Sequence, residues 1–247
     1  MESSIYQDLV SAKKAKTKRL AILIDPDKLR LTKVDHIIEL ATAAKVDYFF
    51  IGGSLIVNNM LDEVIKMIRD RCTIPTVLFP GNSYQLSYYA DGMLFLSLIS
   101  GRNAELLIGN QVIAAPYLKI SPLEVISTGY MLVDGGVTTT VQYISNTNPI
   151  PRNKEDIAVS TAIAGEMLGL KQLFLDAGSG ALHCVPTEMI ESVSQAVEIP
   201  VIVGGGISDA GQAQKIVQAG ADMIVVGNAV EKDPTLITDI SKVLGKI

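Results

Sequence analysis

The chain has 247 residues, 48% hydrophobic and 19% charged, with 21 basic and 26 acidic side chains for a net charge of −5. That apolar fraction excludes global disorder, and the mild acidity leaves no electrostatic footprint for nucleic acid. Two cysteines, Cys72 and Cys184, with no Cys/His cluster, exclude a disulfide scaffold and a structural zinc site.

Residues 1–9 are polar and mixed, without a signal-peptide pattern. Lys13, Lys14, Lys16, Lys18 and Arg19 follow as a basic cluster. It reads as the solvated end of a first helix, with contact to an anionic membrane surface as the alternative. A strand is predicted at 20–24, a helix at 34–44, a strand at 48–51 and a helix at 55–68. The next strand, 76–79, runs into a turn at 80–83 that leaves only 84–90 before the strand at 93–97. The third helix is therefore predicted to be stunted or missing. A strand at 130–133 precedes a Gly/Thr/Asn/Pro-rich stretch, 134–153, too long for an ordinary connection and read as a lid or substrate loop. Helices at 154–168, 186–197, 209–219 and 231–243 then alternate with strands at 173–175, 201–203 and 223–226.

Each predicted strand is short and nearly continuously apolar, as when both faces of a parallel strand are buried. The segments between carry helical periodicity. Eight such strands over this length predict a (β/α)8 TIM barrel, α/β in class, as a single domain over 1–247. A doubly wound open sheet is the alternative. Mean hydropathy is high, +0.33, yet no run approaches the roughly 18 uncharged apolar residues of a membrane span. A core, a subunit interface or an apolar pocket must take the surplus.

In such barrels the chemistry sits at the C-terminal ends of the strands. Gly204, Gly205, Gly206, Ile207 and Ser208 follow strand 7, and Gly227, Asn228 and Ala229 follow strand 8. Glycines let backbone N–H groups approach an anion, so adjacent turns of this kind predict a phosphate cup. After strand 6, Asp176, Ala177, Gly178, Ser179, Gly180 and Ala181 offer a carboxylate, a hydroxyl and N–H groups. Ser179 has no evident histidine partner and no nucleophile elbow, so hydrogen bonding to a polyol phosphate is its better role. His183 reads as structural.

Asp25, Pro26, Asp27 and Lys28 follow strand 1, and Gly52, Gly53 and Ser54 follow strand 2. A carboxylate with a hydroxyl suits Mg2+, which keeps waters and takes further ligands from substrate phosphates. A helix-initiating turn with Asp27 as cap is the alternative. Phe79, Phe95, Tyr84, Tyr88, Tyr117 and Tyr130 are available between the two anion sites. Two anionic substrates meeting across an apolar channel is an architecture for moving an apolar group between phosphates.

Leu-Ile-Asp-Pro-Asp-Lys at 23–28, Ile-Gly-Gly-Ser at 51–54, Phe-Pro-Gly at 79–81, Gly-Tyr at 129–130, Leu-Asp-Ala-Gly-Ser-Gly-Ala at 175–181, Val-Gly-Gly-Gly-Ile at 203–207 and Val-Gly-Asn at 226–228 occur in that order. Together they resemble the geranylgeranylglyceryl phosphate synthase family and its bacterial relatives. The resemblance implies a Mg2+-dependent prenyltransferase. Such an enzyme joins a polyprenyl diphosphate, geranylgeranyl by the family's name, to the C3 hydroxyl of sn-glycerol 1-phosphate and releases diphosphate. Carried over residue by residue, Asp25 and Ser54 match the magnesium positions. Phe174, Leu175, Asp176, Ala177, Gly178, Ser179 and Gly180, with Gly204, Gly205, Gly206, Gly227 and Asn228, match the glycerol phosphate positions. The family's strand-6 motif opens Tyr-Leu-Glu, so Phe174 lacks a phenolic hydroxyl and Asp176 is one methylene short.

Asp25 and Asp176 are the implied catalytic carboxylates, the first acting with Mg2+ on the leaving diphosphate, the second orienting or activating the glycerol hydroxyl. A cytoplasmic homo-oligomer, dimer or hexamer, with transient membrane-surface contact completes the expectation. Two alternatives stand beside it: a phosphosugar isomerase with Asp25 and Asp134 as its acids, and a non-catalytic phosphate- or prenyl-binding barrel.

Overall fold

The computed structural model describes residues 4–27, 31–57 and 60–247. Lys28 and part of the predicted helix at 55–68 lie outside them. Eight parallel strands close a barrel in chain order: β1 Arg19–Ile24, β2 Tyr48–Ile51, β3 Thr76–Leu78, β4 Gly92–Leu98, β5 Glu124–Leu132, β6 Gln172–Asp176, β7 Val201–Gly204 and β8 Met223–Val226. Closure comes from β8 against β1, with Ile22 opposite Val226. The fold is the predicted TIM barrel.

Burial on both strand faces explains the unbroken apolar runs. Alternate residues fall into two cores. Phe50, Val77, Leu94, Leu132, Phe174 and Ile202 fill the barrel. Leu20, Ile22, Phe49, Leu173, Val203 and Ile224 face the surrounding helices. The helices are α1 Ile5–Ala15, α2 Leu31–Ala43, α3 Leu61–Arg71, α4, α5 Thr140–Ser145, α6 Glu155–Met167, α7 Thr187–Ala196, α8 Ala210–Gln218, α9 Asn228–Lys232 and α10 Leu236–Val243. The fourth, α4, opens as a π-helical turn, Glu105–Gly109, and continues as Asn110–Lys119.

Helix α1 closes the bottom of the barrel. Leu9 enters the inner core, while Asp8 receives the Tyr48 phenol at 2.5 Å and the Arg19 guanidinium at 2.6 and 2.7 Å. Most of the basic cluster is spent there. Lys13 pairs with Asp222 at 3.2 Å, and Lys18 donates to the Ala221 carbonyl at 2.8 Å. The cluster sits at the N-terminal end of β1, opposite the strand C-termini.

Between β3 and β4, residues 79–91 contain turns and no helix, as predicted. Tyr84 and Tyr88 therefore share no helical face. Strand β5 begins at Glu124, six residues earlier than the apolar run suggested, because Ser127 and Thr128 are accommodated by pairing with β4 and β6. Helix α4 had no clean periodicity, being apolar nearly all round and containing Pro116. The predicted helix at 231–243 is two helices. Between them Asp233 accepts hydrogen bonds from the Thr235 N–H and hydroxyl, next to Pro234. Among the described residues no helix is long and apolar enough to cross a membrane.

Candidate active site

One cavity of about 900 Å3 opens at the C-terminal end of the barrel. Asp25, Ser54, Phe174, Asp176, Gly178, Ser179, Gly180, Gly204, Gly205, Gly206, Gly227 and Asn228 all line it. The structure thus brings together nearly every residue singled out from the sequence. Leu175 and Ala177 differ. Strand alternation turns both side chains outward, into the core between barrel and helices. Ala177 contributes a backbone N–H to the Gly204 carbonyl at 3.1 Å instead, tying the β6 loop to β7.

Asp176 is 7% exposed at the end of β6. Its Oδ2 accepts from the Tyr130 phenol at 2.6 Å and its Oδ1 from the Gly178 N–H at 2.7 Å. Burial pushes the carboxyl above its ordinary range, and the two hydrogen bonds pull it part of the way back. Burial also holds the Tyr130 phenol well above its ordinary value, reinforced by the adjacent carboxylate, so Tyr130 stays protonated and donating.

Gly205 closes this corner at φ +81°. A Cβ there would lie 2.5 Å from Asp176 Oδ1 and 2.6 Å from the Gly178 nitrogen. Only glycine allows the β7 loop to lie against the carboxylate. Ser179 Oγ donates to Asn228 Oδ1 at 3.0 Å and joins the β6 loop to the β8 loop. The three glycine turns therefore form one continuous cup.

Below the cup Phe174 stacks on Phe79, with centroids 4.9 Å apart and planes 10° from parallel. The Tyr130 ring tilts against both, at 5.8 and 6.0 Å. The phenol that Phe174 lacks is present one strand away on Tyr130, which reaches Asp176.

Across the mouth, Asp25 is 8% exposed and its Oδ1 accepts from the Asp27 N–H at 3.1 Å. Asp27 in turn accepts from the Val57 N–H, linking the β1 and β2 loops. Asp27 is thus a loop clamp. Gly53 lies where a Cβ would come 3.1 Å from Asp25 Oδ2. Its missing side chain keeps that oxygen's flank clear. Among the described residues no group of three His, Cys, Asp or Glu side chains is placed to hold a metal alone.

Between the two polar corners the walls are apolar. Where the third helix is missing, the cavity takes Leu96 and Leu98 from the inner face of β4 and Met93 and Phe95 from its outer face. Leu106 and Ala114 of α4 and Val141 and Ile144 of α5 complete that wall. Helix α5 lies within the stretch read as a lid.

Phe79, Phe95 and Tyr130 line the cavity, whereas Tyr84, Tyr88 and Tyr117 are exposed outside it. His183 is exposed beside Gly136 and Asp134 caps the Gly136 N–H at 2.8 Å, neither of them on the cavity wall. The Asp25–Asp134 pair of an isomerase is therefore not assembled. Sequence reasoning missed the Tyr130–Asp176 bond. Its only signal was the Gly-Tyr motif at 129–130.

Residues 13–244 match the family model described as the PcrB family. The chain belongs to the PcrB family. It is 54% identical to a geranylgeranylglyceryl phosphate synthase of Chitinophaga pinensis, over 98% of this chain and 96% of that one. A geranylgeranylglyceryl phosphate synthase of Spirosoma linguale is 51% identical, over 92% and 91%. Among solved structures, (S)-3-O-geranylgeranylglyceryl phosphate synthase from Thermoplasma acidophilum, in complex with its substrate sn-glycerol-1-phosphate, superposes with a TM-score of 0.93. That chain is 32% identical and covers 99% of this one, with all of its own length matched. This member of the family is an enzyme, a prenyltransferase.

Proposed function

We propose that this enzyme, working as one domain over 1–247, joins a polyprenyl diphosphate to the C3 hydroxyl of sn-glycerol 1-phosphate. The observation that carries the reading is one cavity that holds a glycine cup at β6–β8, a carboxylate corner at β1–β2, and an apolar groove between them over β4.

The cup would hold the glycerol phosphate by backbone N–H groups of the three loops, which an anion favours without any basic side chain. Asp176 would accept the proton of the C3 hydroxyl as its oxygen attacks C1 of the prenyl chain. The C1–O bond to diphosphate breaks with its electron pair leaving on the diphosphate. Tyr130 steadies Asp176 during the transfer, donating to the oxygen that carries charge. The apolar walls keep water from the allylic carbon.

Asp25 and Ser54 fit a magnesium ion. They are hard oxygen donors, few in number, as suits an ion that completes its shell with waters and diphosphate oxygens. When bound, the ion neutralises the leaving diphosphate. The groove over β4, with Met93, Phe95, Leu106 and Ala114, would take the prenyl chain.

Helix α4 also leaves Ile108, Val112, Ile113, Tyr117 and Ile120 more than half exposed on its outside. We propose this stripe as the surface of self-association, which would complete the burial of the surplus hydropathy.

The deciding experiment supplies sn-glycerol 1-phosphate, Mg2+ and prenyl diphosphates of increasing length, then identifies the lipid product. An ether product with the 1-phosphate and none with sn-glycerol 3-phosphate supports the reading. No product with any donor overturns it.

A further inference from the structure

The rim of the cavity is divided. Around β7, β8 and β1 it presents Ser208, Asn228, Lys232, Asp233 and Asp27. Around β2, β3, β5 and β6 it presents Leu55, Val57, Tyr84, Tyr143, Ile144 and Leu182, which are 52%, 79%, 90%, 76%, 53% and 67% exposed. Each of these six follows the C-terminal end of its strand, so parallel closure of the barrel gathers them at one end. Exposed aliphatic and aromatic side chains concentrated around a single opening are not the scattered singles of an ordinary surface.

We infer that this apolar half-rim docks on the surface of a lipid bilayer, so that a prenyl chain passes between membrane and groove without crossing water. The inference deepens the proposed prenyl transfer and rests on it for the ligand. Continuity is the first argument. Leu55, Ile144 and Leu182 line the cavity and are also half exposed, so the groove wall runs unbroken onto the outer surface. Residue type is the second. Tyrosine beside aliphatic side chains is the composition that settles at a headgroup boundary.

Charge decides which bilayer. The chain carries −5 overall, and the basic cluster at 13–19 lies at the other end of the barrel, with Lys13 and Arg19 in ion pairs. Among the described residues the cavity lining carries one basic side chain, Lys232, set between Glu231 and Asp233 and outweighed by Asp25, Asp27 and Asp176, so anionic lipid meets no net attraction at the mouth. The partner is therefore a zwitterionic bilayer surface, held by apolar burial.

The chain contains no tryptophan, so Tyr143→Trp gives a single reporter at the rim and Lys14→Trp a control on α1. Each is titrated with phosphatidylcholine vesicles, with and without brominated acyl chains. The rim reporter should shift to the blue and be quenched by bromine, unchanged at high salt, while the α1 reporter stays as in buffer. Val57→Glu with Tyr84→Glu, neither side chain lining the cavity, should weaken vesicle binding at least tenfold. Turnover of a short, water-soluble prenyl donor should be untouched by that pair. No shift at any lipid concentration overturns the inference. So does a shift that grows with protein concentration in the absence of lipid, which would mean a second copy covers the rim. Binding confined to anionic vesicles and abolished by salt overturns it too. Vesicle binding is read without substrates, so binding without product rejects the transfer reaction alone. Product without binding rejects the docking surface alone.

Discussion

The Tyr130 phenol donates to Asp176 Oδ2 at 2.6 Å while the Gly178 N–H holds Oδ1 at 2.7 Å. One strand thus supplies the carboxylate and its neighbour the proton donor that steadies it. Tyr130→Phe removes the hydrogen bond that favours the ionised form. Asp176 then ionises less readily, and the acid limb of kcat/KM against pH moves to higher pH. An unmoved limb would remove Tyr130 from the mechanism.

Asp176→Asn should lower turnover by about 10²–10⁴-fold and raise stability. Burial gives the folded carboxyl a higher proton affinity than the unfolded one. Above the ordinary value of 3.8 the folded state therefore binds more protons than the unfolded state, and stability falls as pH rises through that window. Melting curves should show the Asn variant more stable at neutral pH, with the gain gone below 3.8 where both states are protonated. An equal melting temperature at neutral pH contradicts the buried-carboxylate account.

Asp25→Asn should collapse turnover while leaving glycerol phosphate binding intact, because Asp25 sits across the mouth from the cup. Calorimetry with sn-glycerol 1-phosphate and a magnesium titration of activity check both halves. Full activity with magnesium still required would move the metal elsewhere.

Gly205→Ala sets a Cβ against Asp176 and the β6 loop in a left-handed backbone that costs a non-glycine residue about 1–2 kcal/mol. The cup must open. KM for glycerol phosphate should rise at least about tenfold, with KM for the prenyl donor little changed.

Phe174→Tyr adds a hydroxyl at the edge of a ring that already packs against Gly204. One neutral hydrogen bond is worth about 0.5–1.5 kcal/mol. Affinity for glycerol phosphate should therefore rise about two- to tenfold, with the Phe79 stack kept. Weaker binding would mean that the hydroxyl finds no partner.

Val112→Glu with Tyr117→Glu places charge in the exposed stripe of α4. Light scattering should report a smaller particle than the unaltered chain forms. The same mass for both places self-association on another face.

Much of this was legible in the sequence. Runs such as 48–51 and 223–226 gave their strands because burial on both faces leaves no polar alternation to confuse them. The glycine turns at 204–206 and 227 and the carboxylates Asp25 and Asp176 were legible because backbone approach to an anion and charge at a strand end demand particular residue types. The missing third helix followed from there being too little chain to build one.

Tertiary structure decided the rest, because register and closure are long-range. Ser127 and Thr128 lie outside the apolar run at 130–133, yet Ser127 pairs with β4 and Thr128 with both β4 and β6, which makes them strand. Tyr130 meets Asp176 only because β5 and β6 pair in one register, with Leu132 opposite Asp176. A sequence cannot give the angle at which a barrel closes. Strand alternation within the closed barrel turned Leu175 and Ala177 away from the cavity, and parallel closure put the basic cluster at the far end and gathered six separate apolar side chains around one mouth.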